Sequence, residues 1–131
     1  MRDRSSVVII ESKMVALIRR ERDGTVYYVF PGGGMENNEK PEDTARREAL
    51  EELGVIVRVK DCIAEEKFNG NQYFFLSEII GGKFGTGQGE EYSDSKKDSG
   101  TYLPIWIEIE KLLTIDIKPK EVALKIQSLF L

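Results

Sequence analysis

The chain has 131 residues, 23 acidic against 19 basic side chains for a net charge of −4, one cysteine and no histidine. That length suits one domain over residues 1–131 around a single core. Without histidine there is no Ser-His-Asp or Cys-His nucleophile, no imidazole base and no histidine-bound metal, and the lone Cys62 leaves no internal disulfide.

Acid–base and metal chemistry therefore fall to carboxylates. A mildly acidic chain also argues against a DNA partner. The first apolar run, Val7 to Ile10, is interrupted by Glu11 and Lys13. It is too short for a signal-peptide core or a membrane span, so no membrane partner is expected and the cytoplasm is the expected compartment.

In chain order, Val7–Ile10 and Met14–Ile18 read as strands around a polar turn at 11–13, and Arg19 to Gly24 reads as a charged turn. Thr25–Phe30 resumes as a strand rich in aromatic and β-branched residues, and Pro31-Gly32-Gly33-Gly34 breaks this meander. Pro41–Leu53 is predicted helical. Pro41 suits its first position, Glu42 and Asp43 suit the positive end of its dipole, and Gly54 suits the position past its end. Ala49, Leu50 and Leu53 supply its apolar face. Val55, Val57 and Val59 alternate with Ile56, Arg58 and Lys60 as a strand, Asn69-Gly70-Asn71 turns, and Gln72–Ile80 is an aromatic strand. Residues 81–100 hold six glycines and mixed charge, a loop whose length marks it as either functional or mobile. Thr101–Ile107 is a further strand, Glu110–Leu113 a helical turn, and Pro119–Leu131 a closing helix with Val122, Ile126 and Leu129 as its buried stripe. Strands interleaved with two helices give an α/β or α+β domain.

Residues 33–55 carry the chemistry. At about 100° per residue, Glu48, Glu51 and Glu52 fall in one sector of the helix roughly 100° wide. Taken alone, three such glutamates are a solvated face whose like charges repel. A divalent cation among them turns repulsion into ligation, and oxygen-only ligands point to magnesium or manganese rather than zinc. Gly32 to Gly34 let the backbone approach closely, and Arg47 is placed to pair with a carboxylate such as Glu39, holding loop against helix.

At this point the sequence resembles the Nudix family. Gly33, Glu39, Arg47, Glu48, Ala49, Glu51, Glu52, Gly54 and Val55 match every defined position of the Nudix box, G-x5-E-x7-R-E-U-x-E-E-x-G-U with U apolar. Its seven fixed letters coincide by chance about once in 10⁹ start positions. The resemblance implies an α/β/α sandwich with a mixed β-sheet and a Mg²⁺- or Mn²⁺-dependent hydrolase of a nucleoside diphosphate linked to another group. It implies Glu48 and Glu52 as principal metal ligands, Glu51 as a further ligand or base, the Gly32 carbonyl as another ligand, and structural roles for Gly33, Glu39, Arg47 and Gly54. The base that takes the proton from water comes from the box helix (Glu51 or Glu52) or from a later loop, where Glu91 and its neighbour Glu90 are candidates. Family members often form homodimers, so a homodimer stays open. The alternative is a Nudix domain that binds a nucleotide or RNA without cleaving it. Lys40 departs from the usual Ser, Thr or Asp before a helix.

Substrate identity is less legible. The proline that marks many ADP-ribose hydrolases past the box is replaced by Gly70 and Asn71. Arg19, with Arg20 and Arg22, is a candidate for phosphate contact. Tyr28 and Phe30, with Tyr27, run up to the glycines as candidate walls for a nucleobase. Tyr73 lies where diadenosine polyphosphate hydrolases tend to carry a tyrosine, and Trp106 is an alternative stacking residue. Residues 33–55 hold seven acidic and three basic side chains, so the whole net charge of −4 resides there.

Overall fold

The computed structural model describes residues 2–67, 69–87 and 100–131. Strands β1 (Arg4–Glu11), β2 (Met14–Arg22) and β3 (Thr25–Val29) form the meander. The charged stretch after Ile18 is strand, not turn. Pairing continues to Arg22↔Thr25, and Asp23 and Gly24, both at positive φ, suffice to reverse the chain as a two-residue hairpin. The glycine run is also strand: β4 (Gly32–Gly34) lies antiparallel to Arg4–Ser6 of β1.

After helix α1 (Pro41–Leu53) come β5 (Val55–Lys67) and β6 (Asn71–Gly82), both longer than their sequence signals. Strand β7 (Thr101–Glu108), a 3₁₀ turn (Ile109–Thr114), β8 (Ile117–Lys118) and α2 (Lys120–Phe130) complete the described order. The strands run β5-β6-β1-β2-β3-β8, with β4 beside β1 and β7 beside β2. The sheet is mixed, since β1–β6 and β3–β8 are parallel and the other pairs antiparallel.

Helices cover both faces, which makes the expected sandwich. Ala45, Ala49 and Leu53 of α1 pack with Val7, Ile9, Ala16 and Ile18 on one side. Val122, Ala123 and Ile126 of α2, with Ile109 and Leu112, cover Val8, Val15 and Leu17 on the other. Covered on both faces, β1 is buried at every residue from Val7 to Ile9, which accounts for its unbroken apolar run.

Two helix assignments change. Leu50 is 52% exposed and Leu129 is 49% exposed, and the buried stripes use Ala45 and Ala123 instead. Small residues let each helix sit close to the sheet, and that choice depends on the opposing surface rather than on hydrophobicity. No helix of the described structure is long and apolar enough to cross a membrane.

Candidate active site

The site forms where β4 meets α1. Pro41 starts the helix, and the Asp43 carboxylate accepts a hydrogen bond from the Lys40 N–H at 3.1 Å, half of a capping box that offsets the missing Ser or Thr. That N–H, reinforced by Arg46, holds the Asp43 carboxyl below its usual range. At the other end Gly54 is left-handed at φ 79° and donates its N–H to the Leu50 carbonyl at 3.0 Å, a conformation that suits glycine.

One guanidinium ties loop to helix. Arg47 donates Nε and Nη2 to the two oxygens of Glu39 at 2.7 and 3.0 Å, a bidentate pair, and Nη2 also reaches the Gly34 carbonyl at 2.9 Å. Its Nη1 lies 2.8 Å from Glu48 and 3.3 Å from Glu51. Glu39 accepts further bonds from the Glu36 N–H at 2.8 Å and the Thr44 hydroxyl at 2.7 Å. Thr44 is fully buried, a role that the sequence does not announce because a threonine inside a helix carries no positional signal.

The Arg47 hydrogen bond, more than any other contact, holds the Glu39 carboxyl down to about 2 from 4.5, and Glu39 in turn raises the Arg47 pKa. The unfolded chain takes up the Glu39 proton at the higher pH, so acid favours unfolding. The contribution is complete above pH 4.5 and is lost as the pH falls through 4.5 towards 2. Urea melts across that window should lose ~1–2 kcal/mol more in the wild type than in Glu39→Gln, allowing for solvent screening. Parallel losses would remove Glu39 as the source.

Glu48 and Glu52 are each only 6% exposed, one helical turn apart on one face. Glu52 accepts the Gly32 N–H at 2.6 Å, and the Glu48 carboxyl fills the space that a side chain on Gly33 would take, 2.5 Å from where its Cβ would lie. Gly33→Ala should therefore displace Glu48 and lower activity at least tenfold, with little change in the far-ultraviolet spectrum. Wild-type activity in that variant would contradict the close approach.

The Glu51 side chain is 41% exposed and leans on Arg47, so the structure brings together Glu48 and Glu52 and leaves Glu51 outside them. Among the described residues no three carboxylates are gathered as a ready metal cluster. The donor set still suits Mg²⁺, which binds through one or two carboxylates and otherwise keeps water or substrate phosphates. A second observation fits a polar ligand here. The Ser5 hydroxyl is buried without a hydrogen-bond partner among the described residues, and Ser5 pairs with Gly33, which places it beside Glu48. Glu90 and Glu91 lie outside the described residues.

On the α2 side of β1 a cavity of about 450 Å³ is lined by Arg4, Ser6, Phe30, Gln72, Phe74 and Lys118, among others. Phe30 and Phe74 meet edge to face at 5.7 Å. Ser6 lines the cavity and its hydroxyl abuts Gly32, whose N–H donates to Glu52. Of the sequence candidates for substrate contact, Phe30 lines this space. Tyr28 instead packs on the core beneath α2, Arg19 turns to Glu21 at 3.5 Å, and Tyr73 stacks with Phe75 on the α1 side. Trp106 packs against Phe84 at 4.8 Å.

Comparison with known proteins bears on this arrangement. A family model described as NUDIX domain matches residues 1–123. A Bacillus subtilis (strain 168) protein named "Putative 8-oxo-dGTP diphosphatase" is 30% identical over 104 residues, 77% of this chain and 68% of the relative. Among solved structures, one from work on MutT of Aliivibrio salmonicida and Vibrio cholerae superposes with a TM-score of 0.73 at 19% identity, covering 98% of each chain. An ADP-ribose pyrophosphatase from Streptococcus suis gives 0.71 at 17% identity, covering 99% of this chain and 92% of that one. At such identities the structural likeness speaks to the fold.

Proposed function

The chain belongs to the NUDIX family and is an enzyme acting on phosphoanhydride bonds of nucleotides, and from that premise we propose that its activity depends on Mg²⁺ or Mn²⁺ held at Glu48 and Glu52. The observation that carries this is the pair of buried glutamates pressed against a glycine strand by Arg47. Two buried like charges one turn apart are costly unless cations share them. The Gly32 carbonyl and Glu51 would complete the oxygen donors. When bound, the metal neutralises phosphate oxygens and lowers the pKa of a water.

The chain's own residues do the rest. Arg47 fixes Glu48 in place and keeps Glu39 ionised. Gly32 and Gly33 let β4 lie tightly against Ser6 and the Glu48 carboxyl, which keeps the two glutamates together. In the absence of histidine, Glu51 or Glu52 takes the proton from the attacking water, with Glu91 the further candidate. The cavity beneath Phe30 and Phe74 has the volume and aromatic lining for a nucleoside. A small nucleotide, rather than DNA or a membrane, is the partner in this reading, and the cytoplasm the compartment. Sedimentation decides between monomer and homodimer.

The names of relatives span 8-oxo-dGTP and ADP-ribose chemistry. The test is a panel of an oxidised and a normal nucleoside triphosphate, ADP-ribose and a dinucleoside tetraphosphate, each with and without Mg²⁺, with the products identified. Metal-dependent release of a nucleoside monophosphate from at least one is expected. Tight nucleotide binding with no cleavage of any would replace the enzyme with a sensor.

A further inference from the structure

Ser5 interrupts an apolar face of β1. Val7 and Ile9 share that face toward α1 and are buried with Ala45, Ala49 and Leu53. Ser5 is buried as deeply, at 1% exposure, yet its hydroxyl has no hydrogen-bond partner among the described residues. A buried hydroxyl without a partner is costly, and native interiors rarely keep one that has no use. Ser77 shows the ordinary solution on the same face of the sheet, where its hydroxyl donates to the Phe75 carbonyl at 3.0 Å.

The neighbours of Ser5 narrow its use. On β6 its register partner is Tyr73, whose ring stacks with Phe75 at 6.3 Å. On β4 the partner is Gly33, which has no side chain. The Glu48 carboxyl stands in that place, its two oxygens 2.5 and 2.7 Å from where a Gly33 Cβ would lie. Side chains directly opposite in an antiparallel pair begin about 4.5–5.5 Å apart, so Ser5 faces the Glu48 carboxyl across one strand spacing. A hydroxyl donor on β1, a missing side chain on β4 and a carboxylate on α1 thus stand in line.

Arg47 is a donor to the same carboxylate from the helix. Its Nη1 reaches Glu48 Oε2 at 2.8 Å, while the same guanidinium holds Glu39 and the Gly34 carbonyl. An ionised carboxylate has about four acceptor sites, so a donor from the sheet does not compete with Arg47. Carboxylates that ligate a cation are themselves held by hydrogen bonds, which fix the direction in which they offer their oxygens.

We propose that Ser5 is a positioning residue, whose hydroxyl donates to the Glu48 carboxylate when a divalent cation is bound and so aims that carboxylate at the cation. This rests on reading Glu48 and Glu52 as metal ligands and adds the group that orients one of them. Without the cation the hydroxyl contributes nothing to the fold. With it, Arg47 from the helix and Ser5 from the sheet hold Glu48 together.

The test compares full-chain wild type, Ser5→Ala and a control, Ser77→Ala, by calorimetric titration with Mn²⁺ and by melting in the absence of metal. Ser5→Ala should bind Mn²⁺ about tenfold more weakly, the lower end of what losing such an orienting group costs. It should melt no lower than wild type without metal, because the deleted hydroxyl has no partner there. Ser77→Ala should do the reverse, melting lower and binding Mn²⁺ as wild type does. Turnover should follow binding, with the Mn²⁺ concentration for half-maximal rate raised about tenfold in Ser5→Ala. If Ser5→Ala does not fold, Ser5→Cys, close in size and a far weaker donor, supplies the same comparison. Mn²⁺ bound equally by the Ser5 variant and wild type overturns the proposal. So does a metal-free melt that falls as far as that of Ser77→Ala, which would make the hydroxyl a purely structural donor. A wild type that binds no Mn²⁺ would instead strike the metal reading of Glu48 and Glu52, and the role of Ser5 with it.

Discussion

Glu52→Gln is expected to lower metal-dependent turnover by about a thousandfold or more, roughly 4 kcal/mol of transition-state stabilisation, while the protein stays folded. The reason for the intact fold differs from the sequence-based expectation, which placed this carboxylate at the surface. Glu52 is buried, and its oxygen accepts the Gly32 N–H at 2.6 Å. A glutamine keeps a carbonyl oxygen for that hydrogen bond and has nearly the same volume. It also removes one of two negative charges that sit one turn apart in a dry environment, which offsets whatever the amide loses. The melting temperature without metal should therefore move by less than about 3 °C in either direction, under ~1 kcal/mol. Calorimetric titration with Mn²⁺ should show affinity reduced at least tenfold. Near-normal turnover, or a melt that collapses before any metal is added, would sink the assignment of Glu52 as ligand.

The same residue shows which parts of the site the sequence made legible. Local signals carried well: Pro41 and Gly54 bracket α1 because both act through their own backbone, independent of neighbours. Facing was harder to read. The burial of Glu52 depends on β4 lying over the helix, and β4 exists because Gly32–Gly34 pair with Arg4–Ser6 across more than twenty residues of chain. Glycines have little strand preference of their own, so nothing local announces that strand. Leu50 reads as core and is exposed for the same reason, since Ala45 and Ala49 allow the close packing that the sheet demands.

The arginines after Ile18 give the clearest case. Treated as a turn, Arg19, Arg20 and Arg22 are equivalent, and Arg19 was the natural phosphate candidate. Once the strand runs on to Arg22, strict alternation decides between them. Arg19 falls with Leu17 and Tyr28 on the α2 side, whereas Arg20 falls with Ile18 on the α1 side. Hairpin length, set by Asp23-Gly24, thus determines which arginine shares the α1 face of the sheet.

Arg47→Ala is expected to destabilise the protein by ~3–5 kcal/mol, the cost of stranding carboxylates that have lost their shared partner. At this chain length that corresponds to a fall of roughly 10–15 °C in melting temperature. Four glutamates (Glu36, Glu39, Glu48 and Glu51) and the Gly34 carbonyl converge on one guanidinium whose side chain is 23% exposed. Removing it leaves Glu48 buried with Glu52 close by. It also frees the loop that carries Glu39. Arg47→Lys keeps a charge but not the two-pronged contact with Glu39, so it should recover less than half of the loss. Mg²⁺ should partly rescue Arg47→Ala by supplying positive charge to the same carboxylates, raising its melting temperature more than it raises that of the wild type. Coupling between Arg47→Ala and Glu39→Gln separates the loop anchor from the charge effect. If Arg47 acts mainly through Glu39, the double variant should be little less stable than Arg47→Ala alone. Additive losses would mean that Glu48, rather than the loop, is what Arg47 holds.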